Sequence, residues 1–186
     1  MAGQQPASDP FEAYVGSVGQ RLGQRGYSRR QDGPQGYRTT VFHRRTFSIT
    51  KFGYVDYFVV VARFDSLSPA EAEAFSEAAF RYGLSNKSAL PRGLGGTVVV
   101  YPVILGQNLP NTVHQWASHY RNNHFAAFEF PVVADLGPNH LVYNADKPLW
   151  GRAYYSGFQT IADTCLTPQA GGGAGRRRPA AGGPPR

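Results

Sequence analysis

The sequence predicts an α/β protein, a single mixed β-sheet of about five to six strands with helices on both faces. Three observations predict it. Two helix-start signals, Asp9-Pro10-Phe11-Glu12 and Ser68-Pro69-Ala70-Glu71, each place a capping residue before a proline at the first helical position. Two neighbouring runs, YRTTVFHRRTFSITK and YVDYFVVVARF, are rich in β-branched and aromatic residues and read as strands. Two apolar segments, GGTVVVYPVIL and FAAFEFPVVAD, read as strands buried on both faces, with a helix between them.

The elements follow in order. Residues 1–8 are expected to be disordered. The first helix starts at Asp9, with Glu12 completing a capping box, and Phe11, Tyr14, Val15, Val18 and Leu22 form its apolar face. GYSRRQDGPQG reads as loop. The two β-rich runs follow with Phe52-Gly53 as a tight turn, and they make three strands if Arg44-Arg45 divides the first. The second helix runs from Ser68 to a glycine stop near Gly83, with Ala72, Phe75, Ala79 and Tyr82 on one face. The third begins near Asn108-Leu109-Pro110 and aligns Val113, Trp116, Ala117 and Tyr120. After FAAFEFPVVAD, a turn at residues 136–139 leads to a short strand from Leu141 to Tyr143. The last helix carries Trp150, Tyr154, Phe158, Ile161 and Cys165 along one side. Residues 168–186, built of Gly, Pro, Ala and Arg, cannot bury apolar surface and read as a disordered tail. The expected order is α-β-β-(β)-α-β-α-β-β-α, one domain over residues 9–167.

Composition narrows the chemistry. The net charge is +7, but Arg176, Arg177, Arg178 and Arg186 supply four of those charges and leave +3 for residues 1–168. The pI near 9.8 therefore reflects the tail more than a basic face. Cys165 is the sole cysteine, so a disulfide within the chain and a thiolate metal cluster are both excluded. The N-terminal residues lack the apolar stretch of a signal peptide, and no apolar run reaches the ~18 residues of a spanning helix. These features predict a cytoplasmic protein with no membrane partner.

Three acids stand where carboxylates are costly. Asp56 opens the apolar run from Tyr57 to Ala62; it either belongs to a site or caps the hairpin mouth, solvated or paired with Lys51. Glu129 shares a strand face with Phe125, Ala127 and Val133, so it must be paired, with an arginine such as Arg63 or Arg81, or have its pKa raised. Asp135 lies at the carboxyl end of that strand, where ligands of open α/β sheets bind near a switch in strand order.

Other candidates favour structural readings. His114 and His119 are five residues apart and point ~140° from each other, so they do not form the i, i+4 pair of a zinc helix. His124 starts the next strand and could meet a carboxylate there. The glycines of RGLGGTVVV precede a strand and do not match a dinucleotide fingerprint. Cys165 reads as core. In KPLWGRAYYSGF, Tyr155 is the aromatic expected at the surface. Arg44 and Arg45, with the tail arginines, could touch phosphates.

The order α-β-β-β-α-β resembles the core of the restriction-endonuclease-like, PD-(D/E)XK fold. That resemblance implies an acid on the second strand, a D/E-x-K on the third, and Mg²⁺ held between the carboxylates. With Asp56 as first acid, the slot falls on Val61-Ala62-Arg63. Valine cannot ligate a metal, and arginine is permanently protonated and cannot act as a base. Asp56 and the slot also share one strand, whereas the family spreads them over two. The stretches FGYVDYFVVVARFD, FSEAAFRYG, AAFEFPVVAD and KPLWGRAYYSGF further resemble a set of small prokaryotic α/β proteins without assigned activity, which implies a fold and not a reaction.

The expected function is a non-catalytic binding or accessory module on a nuclease-like scaffold, with no cofactor and with a protein or weak nucleic-acid partner. The alternative is a divergent Mg²⁺-dependent nuclease using Asp56, Glu129 and Asp135. A second alternative is weak nucleic-acid binding through Arg176, Arg177 and Arg178.

Overall fold

A computed structural model describes residues 9–48, 53–87, 96–122, 124, 126–146 and 152–169. The two expected disordered ends, apart from Pro168 and Gln169, lie outside the described residues, as do Lys51, Phe125 and Trp150. The elements are α1 (Pro10–Gly23), β1 (Ser28–Arg30), β2 (Thr39–Ser48), β3 (Gly53–Arg63), α2 (Pro69–Ser85), β4 (Gly96–Gly106), α3 (Asn111–His119), β5 (Ala127–Glu129), β6 (Val132–Asp135), β7 (His140–Tyr143) and α4 (Arg152–Ile161). A π-helical turn, Ala162–Leu166, extends α4.

The strands form one mixed sheet in the order β1-β2-β3-β4-β6-β7, with β5 also beside β4. The meander β1-β2-β3 is antiparallel, β3, β4, β5 and β6 run parallel, and β7 returns antiparallel to β6. One core, on Val59, Val99 and Tyr101, packs against α1, α4 and the π turn through Tyr14, Val18, Phe158 and Leu166. The other, on Phe58, Val60 and Val100, packs against α2 and α3 through Phe75, Ala79, Val113 and Ala117. The α/β class with helices on both faces is thus the observed one. Among the described residues no helix is long and apolar enough to cross a membrane.

Where the structure departs from the sequence reading, the causes are local. The third meander strand comes from Ser28–Arg30, inside the expected loop, while β2 runs unbroken through Arg44-Arg45. A three-residue polar edge strand has no alternation to reveal it. The buried run FAAFEFPVVAD divides into β5 and β6 because it contains Pro131. By the register that pairs Val100 with Glu129 and Val103 with Val132, Pro131 faces Pro102, and neither has an N–H to donate. Asp9 caps α1 by accepting from the Phe11 N–H at 3.0 Å. Its other oxygen meets Arg63 at 3.1 Å, and among the described residues Glu12 forms no reciprocal capping bond. At α2 the box is complete: Ser68 accepts from the Glu71 N–H, and Glu71 accepts from the Ser68 N–H at 2.7 Å.

Gly83 does not stop α2. The helix runs two residues further and is capped at Asn86. A Cβ at Gly83 would lie 2.5 Å from Val100 Cγ2, so the glycine lets the helix close on the sheet. Valine is stiff at χ1 and cannot yield cheaply. Gly83→Ala is therefore expected to destabilise the protein by about 1–2 kcal/mol, overpacking outweighing the gain in helix propensity. Urea unfolding would read this as a lower midpoint at unchanged slope.

The tyrosines supply a pH signature. Burial pushes the hydroxyls of Tyr14, Tyr27 and Tyr101 well above their usual value of 10, and that of Tyr82 up to about 12. Above pH 10 the unfolded chain releases protons that the native state retains, so stability is complete below pH 10 and falls as pH rises beyond it. In an alkaline titration followed at 295 nm, these rings are expected to ionise in a cooperative step that coincides with loss of the circular dichroism signal. Ionisation of all tyrosines near pH 10 with the signal intact would contradict their burial.

Candidate functional site

Asp56 is fully buried on β3. The antiparallel register places it opposite Arg45, with His43 one pleat further along β2 on the same face. His43 Nε2 and Arg45 Nε each lie 2.8 Å from Asp56 Oδ1. The His43 ring also stacks on Phe58 at 4.5 Å between centroids. The carboxylate therefore sits between two nitrogen groups fixed on the neighbouring strand. It is neither solvated nor at the hairpin mouth.

Glu129 lies on the α2 face of β5, in line with Ala127 and Val133, as alternation predicts. The expected arginine partners are elsewhere: Arg63 pairs with Asp9 and Asp65, and Arg81 with Glu77. Instead, the buried Ser76 on α2 donates to Glu129 Oε1 at 2.7 Å. Asn122 donates to Oε2 at 3.3 Å, and His124 Nε2 stands 3.2 Å from the same oxygen, its ring stacked on Phe80. His124 thus meets the carboxylate expected of it.

Asp135 ends β6 and is also buried. Its Oδ1 accepts from the Asn108 N–H at 2.7 Å and the Gly137 N–H at 3.2 Å, and its Oδ2 accepts from the Leu109 N–H at 2.9 Å. His114 Nε2 lies 3.1 Å from Oδ2, in ion-pair range but off the line of a hydrogen bond. The carboxylate ties the β4–α3 loop, where Asn108 has φ +58°, to the β6–β7 turn. The parallel strands succeed one another as β3, β4, β6, with α2 and α3 on one face. Among the described residues no reversal of strand order makes a crevice beside Asp135.

The three acids do not converge. Asp56 is in register with Val98 and Glu129 with Val100, on opposite sides of β4. Two strand spacings and two residues of offset put their Cα atoms about 12 Å apart. Asp135 lies at the other end of the sheet, in register with Gly106. Among the described residues no three His, Cys, Asp or Glu side chains are grouped to hold a metal ion. His119 is exposed and bonded within its own helix. Cys165 is buried, and Tyr155 is half-buried against Phe130 and Phe158 and not a surface ring. Arg176, Arg177 and Arg178 lie outside the described residues.

The open concavity lies elsewhere. A cleft of about 660 Å³ sits at the carboxyl ends of β3 and β4, between the first turn of α1 and the start of β2. Phe11, Val15, Val61 and Leu105 give it apolar walls, and Thr39, Thr40 and the exposed Arg38 give it polar ones. A smaller space of about 240 Å³ continues it past Arg63 to Gln107 and Asn108. The Arg63 guanidinium lies 3.7 Å over the Phe11 ring and pairs with Asp9 and Asp65, which fixes it at the rim. Sequence reading missed this cleft because its residues come from four separated segments. It missed His43, and it read Arg45 as a phosphate contact and not as a partner of Asp56, although their i, i+2 spacing on a strand was a usable signal. Comparisons with protein-family models, with curated proteins and with solved structures find no match.

Proposed function

We propose that the chain is a non-catalytic binding module on a nuclease-like scaffold, and that its ligand occupies the cleft beside Arg38. The observation that carries this reading is the state of the buried acids. Asp56 faces His43 and Arg45, Glu129 faces Ser76, Asn122 and His124, and Asp135 accepts three backbone N–H bonds. Carboxylates held this way stabilise a fold, and their oxygens are not turned toward one shared ion. The order of α1, a three-strand meander, α2 and a parallel β4 supports the scaffold part of the reading. The cleft supports the binding part: its volume suits a small ligand, and it combines apolar walls with a few polar groups.

Incubation of plasmid and single-stranded DNA with Mg²⁺ or Mn²⁺ tests the reading. The expected result is no cleavage by wild type above that of Asp56→Ala. Cleavage lost in Asp56→Ala would replace the module with the nuclease.

A further inference from the structure

We propose that the far end of β2 is a docking edge for an acidic extended peptide from a partner protein, added as an extra strand. This surface lies at the opposite end of β2 from the cleft and stands independently of the cleft's ligand.

The ladder between β1 and β2 stops at the pair Ser28–His43. β2 continues to Ser48, paired on its inner side with β3. Among the described residues no strand covers its outer side from Arg44 to Ser48. Unpaired strand edges present backbone donors and acceptors to an incoming chain. Two features select that chain. Arg44 and Arg45 project to opposite faces of the sheet, so consecutive side chains of an added strand meet a guanidinium on either face, that of Arg45 shared with Asp56 through Nε and 44% exposed in its side chain. Phe47 is 60% exposed and stacks edge-on with Tyr54, itself 43% exposed, with ring centroids 5.4 Å apart. They are the exposed large hydrophobic side chains of the described residues. Phe47 lies two residues beyond Arg45 on the same face of β2, and Tyr54 stands opposite it on β3.

The arginines also argue against a second copy as occupant. Edge-to-edge pairing of two copies would crowd Arg44 and Arg45 of each onto one short ladder, and facing like charges destabilise a strand pair. An acidic partner turns the same charges into attraction. In antiparallel addition its order is an aromatic residue opposite Phe47, a β-branched residue opposite Thr46, then two acids opposite Arg45 and Arg44.

The test uses the full chain and a fluorescein-labelled peptide carrying an aromatic residue, threonine and two glutamates in that order. Companion peptides reverse the order or replace both glutamates by lysine. Arg45 is left intact because it holds Asp56. The acidic peptide is expected to bind, more weakly as salt rises, and to slow amide exchange at residues 45–47. Arg44→Glu is expected to weaken that binding about tenfold and to improve binding of the lysine peptide. Phe47→Ser, at an exposed position, is expected to weaken both. Preference for the reversed acidic peptide would assign parallel addition at the same edge. Equal binding of acidic and basic peptides would overturn the proposal, as would unchanged affinity in Arg44→Glu or unchanged exchange at residues 45–47. An oligothymidylate that binds more tightly than the acidic peptide and displaces it would overturn it in favour of a nucleic-acid surface.

Discussion

Asp135→Ala is expected to lower the unfolding free energy by about 2–4 kcal/mol. The carboxylate accepts from three backbone N–H groups, of Asn108, Leu109 and Gly137. Of these donors the Leu109 N–H is buried, and a buried donor that loses its acceptor costs about 1–3 kcal/mol; Asn108 and Gly137 are exposed residues whose N–H groups turn to water at a smaller loss. The loop has little scope to re-form around the loss. Asn108 is held at positive φ, and a Cβ on Gly137 would lie 2.1 Å from Asn108 Oδ1. The two segments are therefore pressed together where Asp135 joins them. Asp135→Asn keeps an oxygen for one side of the loop and is expected to lose about half as much. Urea unfolding of both variants, with amide exchange at Leu109 as a local probe, checks the account. An Asp135→Ala protein as stable as wild type would mean that the loop stands without its tie.

Arg45→Ala is expected to cost about 3 kcal/mol. The guanidinium is 44% exposed in its side chain, but the carboxylate it faces has no exposure at all. Removing the cation leaves Asp56 with a weaker electrostatic environment in the sheet, His43 still in place. The penalty falls on the buried partner, so it exceeds what an exposed ion pair would be worth. The double variant with Asp56→Ala is expected to be more stable than the two single losses added together, because the second substitution removes the buried charge that Arg45 helped to balance. Strict additivity in that cycle would show that Arg45 and Asp56 act independently.

Much of the fold was legible in the chain because it rests on periodicity and capping. The helix starts at Pro10 and Pro69, the continuous burial of β4 and the inward face of Glu129 all follow from local patterns. What was not legible depends on register. A tight turn at Phe52-Gly53 would set Asp56 opposite Ile49. In the structure Gly53 is already the first residue of β3, opposite Ser48, and the register moves Asp56 to Arg45. A hairpin register cannot be read from composition when the loop length is uncertain. Partners contributed by distant elements were hidden for the same reason. Ser76 is 53 residues from Glu129, and nothing in its own helix marks it as a donor to β5. Gly83 shows the limit of a local rule: a glycine near a helix end resembles a stop, and only the distance to Val100 reveals a packing contact.

Buried acids that serve the framework must cost stability when removed, with or without a metal ion present. The most direct measurement is the urea midpoint of Asp56→Ala beside that of wild type, each with and without Mg²⁺. The expected result is a clearly lower midpoint for the variant, and no response of either protein to the metal. A variant at least as stable as wild type, with Mg²⁺ raising the wild-type midpoint alone, would contradict it. An unneutralised metal-binding acid destabilises the free protein, and a bound ion stabilises the native state by mass action.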